Sequence, residues 1–245
     1  GKFLYINDST ATNIIGLAIN EGTGGLSAVP GSPFDTTGTN LLGLIVDPTG
    51  QFVISNNNSS ANVSSYRINT TTGALTAAAG SPFAASTSPQ WLASDPSGSH
   101  VYVANGNASS VHAFSLGSTG ILTNISGSPY AAGTNPGGVA VTPSGSHVYV
   151  SNGGSNSISA YSRNASTGAL TAITGSPFST PAGSGPEYMR FDLTGRFLYV
   201  LYRTTGTVAA YSISANGTPT AISGSPFSGG SAGAWTMIIT KVYEP

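Results

Sequence analysis

Four residues, Gly-Ser-Pro-Phe, return through this chain at a nearly constant interval. They stand at Gly31–Phe34, Gly80–Phe83, Gly127–Tyr130 (with Tyr for Phe), Gly175–Phe178 and Gly224–Phe227, so successive copies lie 49, 47, 48 and 49 residues apart. A period of about 40–50 residues with strand-like local patterns is the signature of a β-propeller, one four-stranded blade per repeat.

The remainder of each unit agrees. An apolar strand runs into a turn in "GLIVDPTG" (Gly43–Gly50), "WLASDPSG" (Trp91–Gly98), "GVAVTPSG" (Gly138–Gly145) and "YMRFDLTG" (Tyr188–Gly195). Asp or Thr first and Gly last suits a type I turn. A second strand follows ("QFVISN", "SHVYVAN", "SHVYVSN", "RFLYVLY"), then a polar loop and a third strand ("NVSSYRI", "SVHAFSL", "SISAYSR", "TVAAYSI"). A "TTGAL"-like loop turns into the fourth strand, which leads to the Gly-Ser-Pro-Phe copy. Pro cannot donate to a ladder, so it is expected to end that outermost strand. The aromatics Phe34, Phe83, Tyr130, Phe178 and Phe227 are expected to be buried against the neighbouring blade, each contributing about 1.5–3 kcal/mol if fully covered.

The chain opens on a second-strand pattern, "GKFLYIND", and closes on a first-strand pattern, "WTMIIT" (Trp235–Thr240). Pairing the last strand with the first blade would close the ring and leave no unpaired edge. The expected architecture is therefore all-β: a five-bladed β-propeller of four-stranded antiparallel blades, closed by the C-terminal strand. It forms one domain over 1–245, with blades at about 1–34 plus 235–240, 43–83, 91–130, 138–178 and 188–227. A fragment of a larger propeller is the alternative, and it leaves the arithmetic of closure as coincidence.

Charge narrows the function classes. Only 6% of residues are Asp, Glu, Lys or Arg, seven basic against eight acidic, for a net charge of −1. An average soluble protein carries about 25%. No basic stripe for nucleic acid or polybasic membrane patch can be built from this, and no apolar run is long enough to insert in a membrane. There is no cysteine, which excludes disulfides, thiolate metal sites and thiol nucleophiles. A surface of Ser, Thr, Asn and Gly points to an exported protein, extracellular or at the cell surface. Triplets such as Asn62-Val63-Ser64 and Asn164-Ala165-Ser166 permit glycosylation without requiring it.

The stretches "DPSGSHVYVANGNASSVHAFS" and "TPSGSHVYVSNGGSNSISAYSRNASTGALTAITGSPF" resemble the YVTN/lactonase-like (6-phosphogluconolactonase-like) propeller repeats of bacterial exported proteins. The resemblance covers essentially the whole chain and is weakest in the last blade. It implies the propeller fold but not one activity, because the same blade serves sugar-lactone hydrolases, muconate-lactonizing enzymes and surface-layer proteins. Those enzymes are usually seven-bladed, and five repeats are counted here.

Catalytic propellers of this kind gather His, Arg and Glu or Asp around the channel. His100 and His147 recur at one blade position and read as repeat consensus; His112, inside a third strand, reads as a packing residue. Asp47, Asp95 and Asp192 read as turn initiators, without the oxygen ligands a calcium site needs. No metal site and no cofactor are expected. The repeat is broken in the last blade, where Glu187, Arg190 and Arg203 replace neutral residues. Closure would set them beside Asp8 and Asp35 of the first blade, and this group is the candidate ligand site. Its alternative is an ion-pair network at the closure seam. The polar loops Asn56–Asn62, Asn105–Ser110 and Asn152–Ser157 are either sugar-binding surfaces, with avidity from the ring, or ordinary tight turns.

The expected function is thus a non-enzymatic extracellular binding, interaction or structural surface module. Its partners would be a cell-envelope polymer, a glycan, a surface protein or further copies of itself. The alternative is a lactonase-like hydrolase or isomerase acting on a sugar lactone at the channel mouth, with Glu187 as acid–base group and Arg190 and Arg203 polarising the carbonyl.

Overall fold

The computed structural model describes residues 1–239 apart from Ser9 and Ala11. Among these the chain forms five separate antiparallel sheets and no helix. The first contains β1 (Phe3–Asp8), β2 (Asn13–Ile19), β3 (Leu26–Ala28) and β4 (Phe34–Asp35). The second contains β5 (Leu41–Val46), β6 (Phe52–Asn57), β7 (Asn62–Ile68), β8 (Leu75–Ala77) and β9 (Phe83–Ala84). The third runs from β10 (Pro89–Ser94) through β11 (His100–Asn105), β12 (Ser110–Leu116) and β13 (Leu122–Asn124) to β14 (Tyr130–Ala131). The fourth holds β15 (Pro136–Val141), β16 (His147–Asn152), β17 (Ser157–Arg163), β18 (Leu170–Ala172) and β19 (Phe178–Ser179). The fifth holds β20 (Pro186–Phe191), β21 (Phe197–Tyr202), β22 (Thr207–Ile213), β23 (Pro219–Ala221) and β24 (Phe227–Ser228).

Within each sheet the strands follow chain order, as hairpins dictate, and the innermost strands β5, β10, β15 and β20 lie side by side in succession. Cores form between sheets rather than within them. One cluster joins Ile14 of the first sheet to Leu41, Val53 and Tyr66 of the second, and another joins Ile54 and Val63 to Val101 and Phe114 of the third. The third and fourth sheets share Val111, Ala113, Val148 and Tyr161; the fourth and fifth share Tyr149, Ile158, Met189 and Val200. Burial on both faces explains why the second strands read as near-continuous apolar runs.

Tyrosines at one position of the second strand tie neighbouring sheets together. Tyr5, Tyr102 and Tyr149 donate to the carbonyls of Gly73, Gly168 and Gly217 of the following sheet, at 2.8, 2.8 and 2.6 Å. His100 and His147, as expected of repeat consensus, pack under those same glycines. A Cβ on Gly168 would come within 2.2 Å of the His100 ring, and its φ of +71° also favours glycine. His112 is buried, stacked on Phe114 with ring centroids 4.4 Å apart and bonded through Nε2 to Asn124 at 2.9 Å.

The Gly-Ser-Pro-Phe copies differ from expectation in an informative way. They do not end the outermost strand; they split it. In the second sheet β8 pairs with one end of β7 and β9 with the other. In the gap, Ser81 Oγ accepts the N–H of Ser65 at 3.0 Å. The same bond joins Ser32 to Gly16, Ser128 to Ala113, Ser176 to Ala160 and Ser225 to Ala210 at 2.8–3.0 Å. The hydroxyl thus replaces the ladder carbonyl that the break removes. All five Ser–Pro bonds are cis.

The aromatics are less buried than expected. Phe34, Phe83, Tyr130 and Phe178 are half-buried, each packed on the core shared with the next sheet. Phe227 is 46% exposed, because no following sheet covers it among the described residues.

The expected closing strand is not formed. Residues 235–239 adopt no strand, and Thr240 lies outside the described residues. The segment is held on the last blade instead: Gly233 N–H donates to the Arg203 carbonyl at 2.8 Å and the Trp235 ring packs on the Arg203 guanidinium at 3.5 Å. No hydrogen bonds between the first and last sheets close the five sheets into a ring among the described residues.

Candidate functional site

The inner strands begin at one rim, beside the loops between second and third strands, and end at the other rim in the Asp/Thr turns. Pairing of Pro186 with Tyr202 places the start of β20 beside the loop that begins at Arg203. A register shift between Pro186 and Tyr188 frees Glu187 from regular pairing. Its carboxylate leans over the fourth blade, which has Gly137 at the corresponding position. A Cβ there would lie 2.9 Å from Glu187 Oε1, so the missing side chain makes the seat. Burial pushes the Glu187 carboxyl above its ordinary range, and the Arg203 guanidinium draws it partly back. A half-buried carboxyl poised to exchange a proton, next to a cation, suits acid–base chemistry on a polar substrate.

The five charged residues do not form one group. Glu187 and Arg203 share a rim, as expected. Arg190 lies three residues along the strand, about 10 Å away by strand rise, and its guanidinium donates to Tyr188 Oη at 2.6 Å. Asp8 ends β1 and accepts the Thr10 N–H at 2.9 Å. Asp35 is exposed on β4, where its Oδ1 accepts the Thr37 N–H at 2.8 Å and the sharp bend after it is stabilised. Both are turn carboxylates of the first blade, and the strand expected to bring that blade to the last one is not formed over residues 235–239.

The turn aspartates are as read. Asp47 Oδ1 accepts the N–H groups of Gln51 and Phe52 at 2.8 and 2.7 Å, and Asp192 repeats the pattern with Phe197 at 2.9 Å. Asp95 does more, since it also receives Arg163 from the next blade. Among the described residues no group of three or more His, Asp or Glu is placed to hold a metal.

Sequence reasoning missed two channel residues. Trp91 on β10 and Tyr188 on β20 meet edge-to-face with centroids 5.3 Å apart. They share one strand position, where the second and fourth blades have Gly43 and Gly138. The signal was available: large aromatics at a position that is otherwise glycine.

Comparison with known proteins places this geometry in a family. The family model for lactonases of the seven-bladed β-propeller type matches residues 1–88 and 87–234, and the chain belongs to that family. Solved structures of similar fold include a protein of Bacteroides uniformis provisionally described as a 6-phosphogluconolactonase (TM-score 0.79, 16% identity, 91% of this chain and 67% of that one). A protein of Bacteroides fragilis with the same provisional description has TM-score 0.76 and 21% identity, again over 91% and 67%. The periplasmic gluconolactonase of Pseudomonas aeruginosa has TM-score 0.75 and 16% identity, over 93% and 69%. The chain thus spans about two thirds of the length of these structures. No curated protein matches the sequence. The family is described as seven-bladed, and five sheets are present here.

Membership overturns the expectation of a non-enzymatic surface module. That expectation rested on scarce charge and on a count of five closed blades, and neither separates this chain from a family of lactonases.

Proposed function

We propose that the protein is a lactonase-like hydrolase that opens a sugar lactone at the channel rim. The observation that carries this reading is the half-buried Glu187 carboxyl, raised by burial and set beside Arg203, in a chain of the lactonase family. Glu187, as carboxylate, takes a proton from the attacking water while a C–O bond forms at the lactone carbonyl. Arg203 faces the oxygen on which negative charge develops. The ring C–O bond then breaks, Glu187 returns the proton to the departing oxygen, and the product is a hydroxy acid that ionises. Arg190 stands apart from this pair and has no role in the step.

Export from the cytoplasm is part of the proposal. It is supported by the uncharged, hydroxyl-rich surface and by the periplasmic location in the description of the Pseudomonas protein.

The test is proton release from glucono-δ-lactone above the spontaneous rate. Glu187→Gln and Arg203→Ala are each expected to lower kcat/KM by about 10²–10⁴-fold. Turnover that survives both substitutions unchanged would remove this site assignment.

A further inference from the structure

Below the rim, toward the Asp/Thr turns, the inner strands β5, β10, β15 and β20 enclose a cavity of about 420 Å³. Its walls are mostly apolar, with Leu44, Val139, Met189, Phe191 and Leu193 among them. Trp91 and Tyr188 supply two aromatic rings in edge-to-face contact.

One cation faces this space. Arg190 is exposed on β20, its guanidinium 5.3 Å from the Tyr188 ring centroid, with a single hydrogen bond, to Tyr188 Oη, among the described residues. The carboxylate that also lines the cavity, Asp192, is engaged by its own turn: Oδ1 accepts Phe197 N–H, and Oδ2 accepts the Thr194 N–H and hydroxyl. The ion pairs found among the described residues all involve Asp95, on another blade. Arg190 therefore presents a guanidinium not engaged by a carboxylate to an apolar, aromatic chamber.

We propose that this chamber is a second ligand site, for a flat apolar carboxylate, aromatic or conjugated. The carboxylate would meet the planar fork of Arg190 in a bidentate pair, and its body would lie against Trp91, Tyr188 and the aliphatic wall. A phosphate dianion fits less well, because one guanidinium leaves half its charge uncompensated beside Asp192. A free sugar fits less well, because its hydroxyls would face Leu, Val and Met side chains without partners. The size suits a small organic ligand. The site does not depend on the lactonase reading.

The chain has two tryptophans, so Trp235→Phe leaves Trp91 as the sole indole reporter. Titration of that variant with 4-nitrobenzoate is expected to quench Trp91 saturably. The uncharged 4-nitrobenzamide and the added substitution Arg190→Gln are each expected to weaken binding by about tenfold or more, the equivalent of one good charge-assisted contact. Arg190→Lys, which keeps charge but loses the fork, is expected to fall between. Glu187→Gln is expected to leave the affinity unchanged. Equal affinity for acid and amide, equal affinity in wild-type and Arg190→Gln backgrounds, or the absence of saturable quenching would each overturn the proposal.

Discussion

Arg163 of the fourth blade donates from Nη2 to Oδ2 of Asp95 in the third at 2.5 Å, and both side chains are buried. Burial alone would raise the Asp95 carboxyl. Hydrogen bonds from His100, Ser97 and Arg163 more than reverse this and hold it well below the ordinary range. Arg163→Met leaves a buried carboxylate unpaired and is expected to destabilise by about 3–5 kcal/mol. Asp95→Asn/Arg163→Met should recover part of that loss, as measured by denaturant unfolding.

The same pair predicts an acid limit. A depressed folded-state value means that the unfolded chain binds the proton more readily, so stability is fully present above about pH 4 and is lost as pH falls below it. A plot of melting temperature against pH should drop there in wild type and much less in Asp95→Asn.

The five serines of the repeat should be worth more than surface hydroxyls. Ser128→Ala leaves the N–H of the buried Ala113 without its acceptor and is expected to cost about 1–3 kcal/mol. A change below a few tenths of a kcal/mol in urea unfolding would show that water replaces the hydroxyl.

Glycine tolerance should divide by surroundings. Gly168→Ala meets the His100 ring and is expected to destabilise strongly, by about 2–4 kcal/mol from strain and overpacking together. Gly50, with φ of +70° but nothing within 4 Å of an added Cβ, should lose only the backbone term of about 1–2 kcal/mol. Equal losses at the two sites would contradict the packing described between blades.

The repeat was legible because each blade must supply the same strands and turns, and a fixed period writes that directly into the chain. The work of its serine was not, since the N–H it accepts lies 15 or 16 residues earlier. Glu187 and Arg203 could be placed on one rim from strand pairing alone. Arg190 could not, because the bulge beside Pro186 and the aromatic at Tyr188 decide where its side chain goes. Trp91 passed unnoticed since it looks like one more apolar strand residue until Gly43 and Gly138 are set beside it. Asp95 and Arg163 are 68 residues apart, and no local pattern connects them.

The most direct test of the central claim is the pH dependence of kcat/KM for glucono-δ-lactone. Glu187 acting as base requires its ionised form, so the rate should rise with pH along a limb displaced above the ordinary glutamate range, and Glu187→Gln should lower the rate and abolish the limb. A limb that persists in Glu187→Gln, with activity retained, would show that proton transfer belongs to another group and that the rim pair is not the active site.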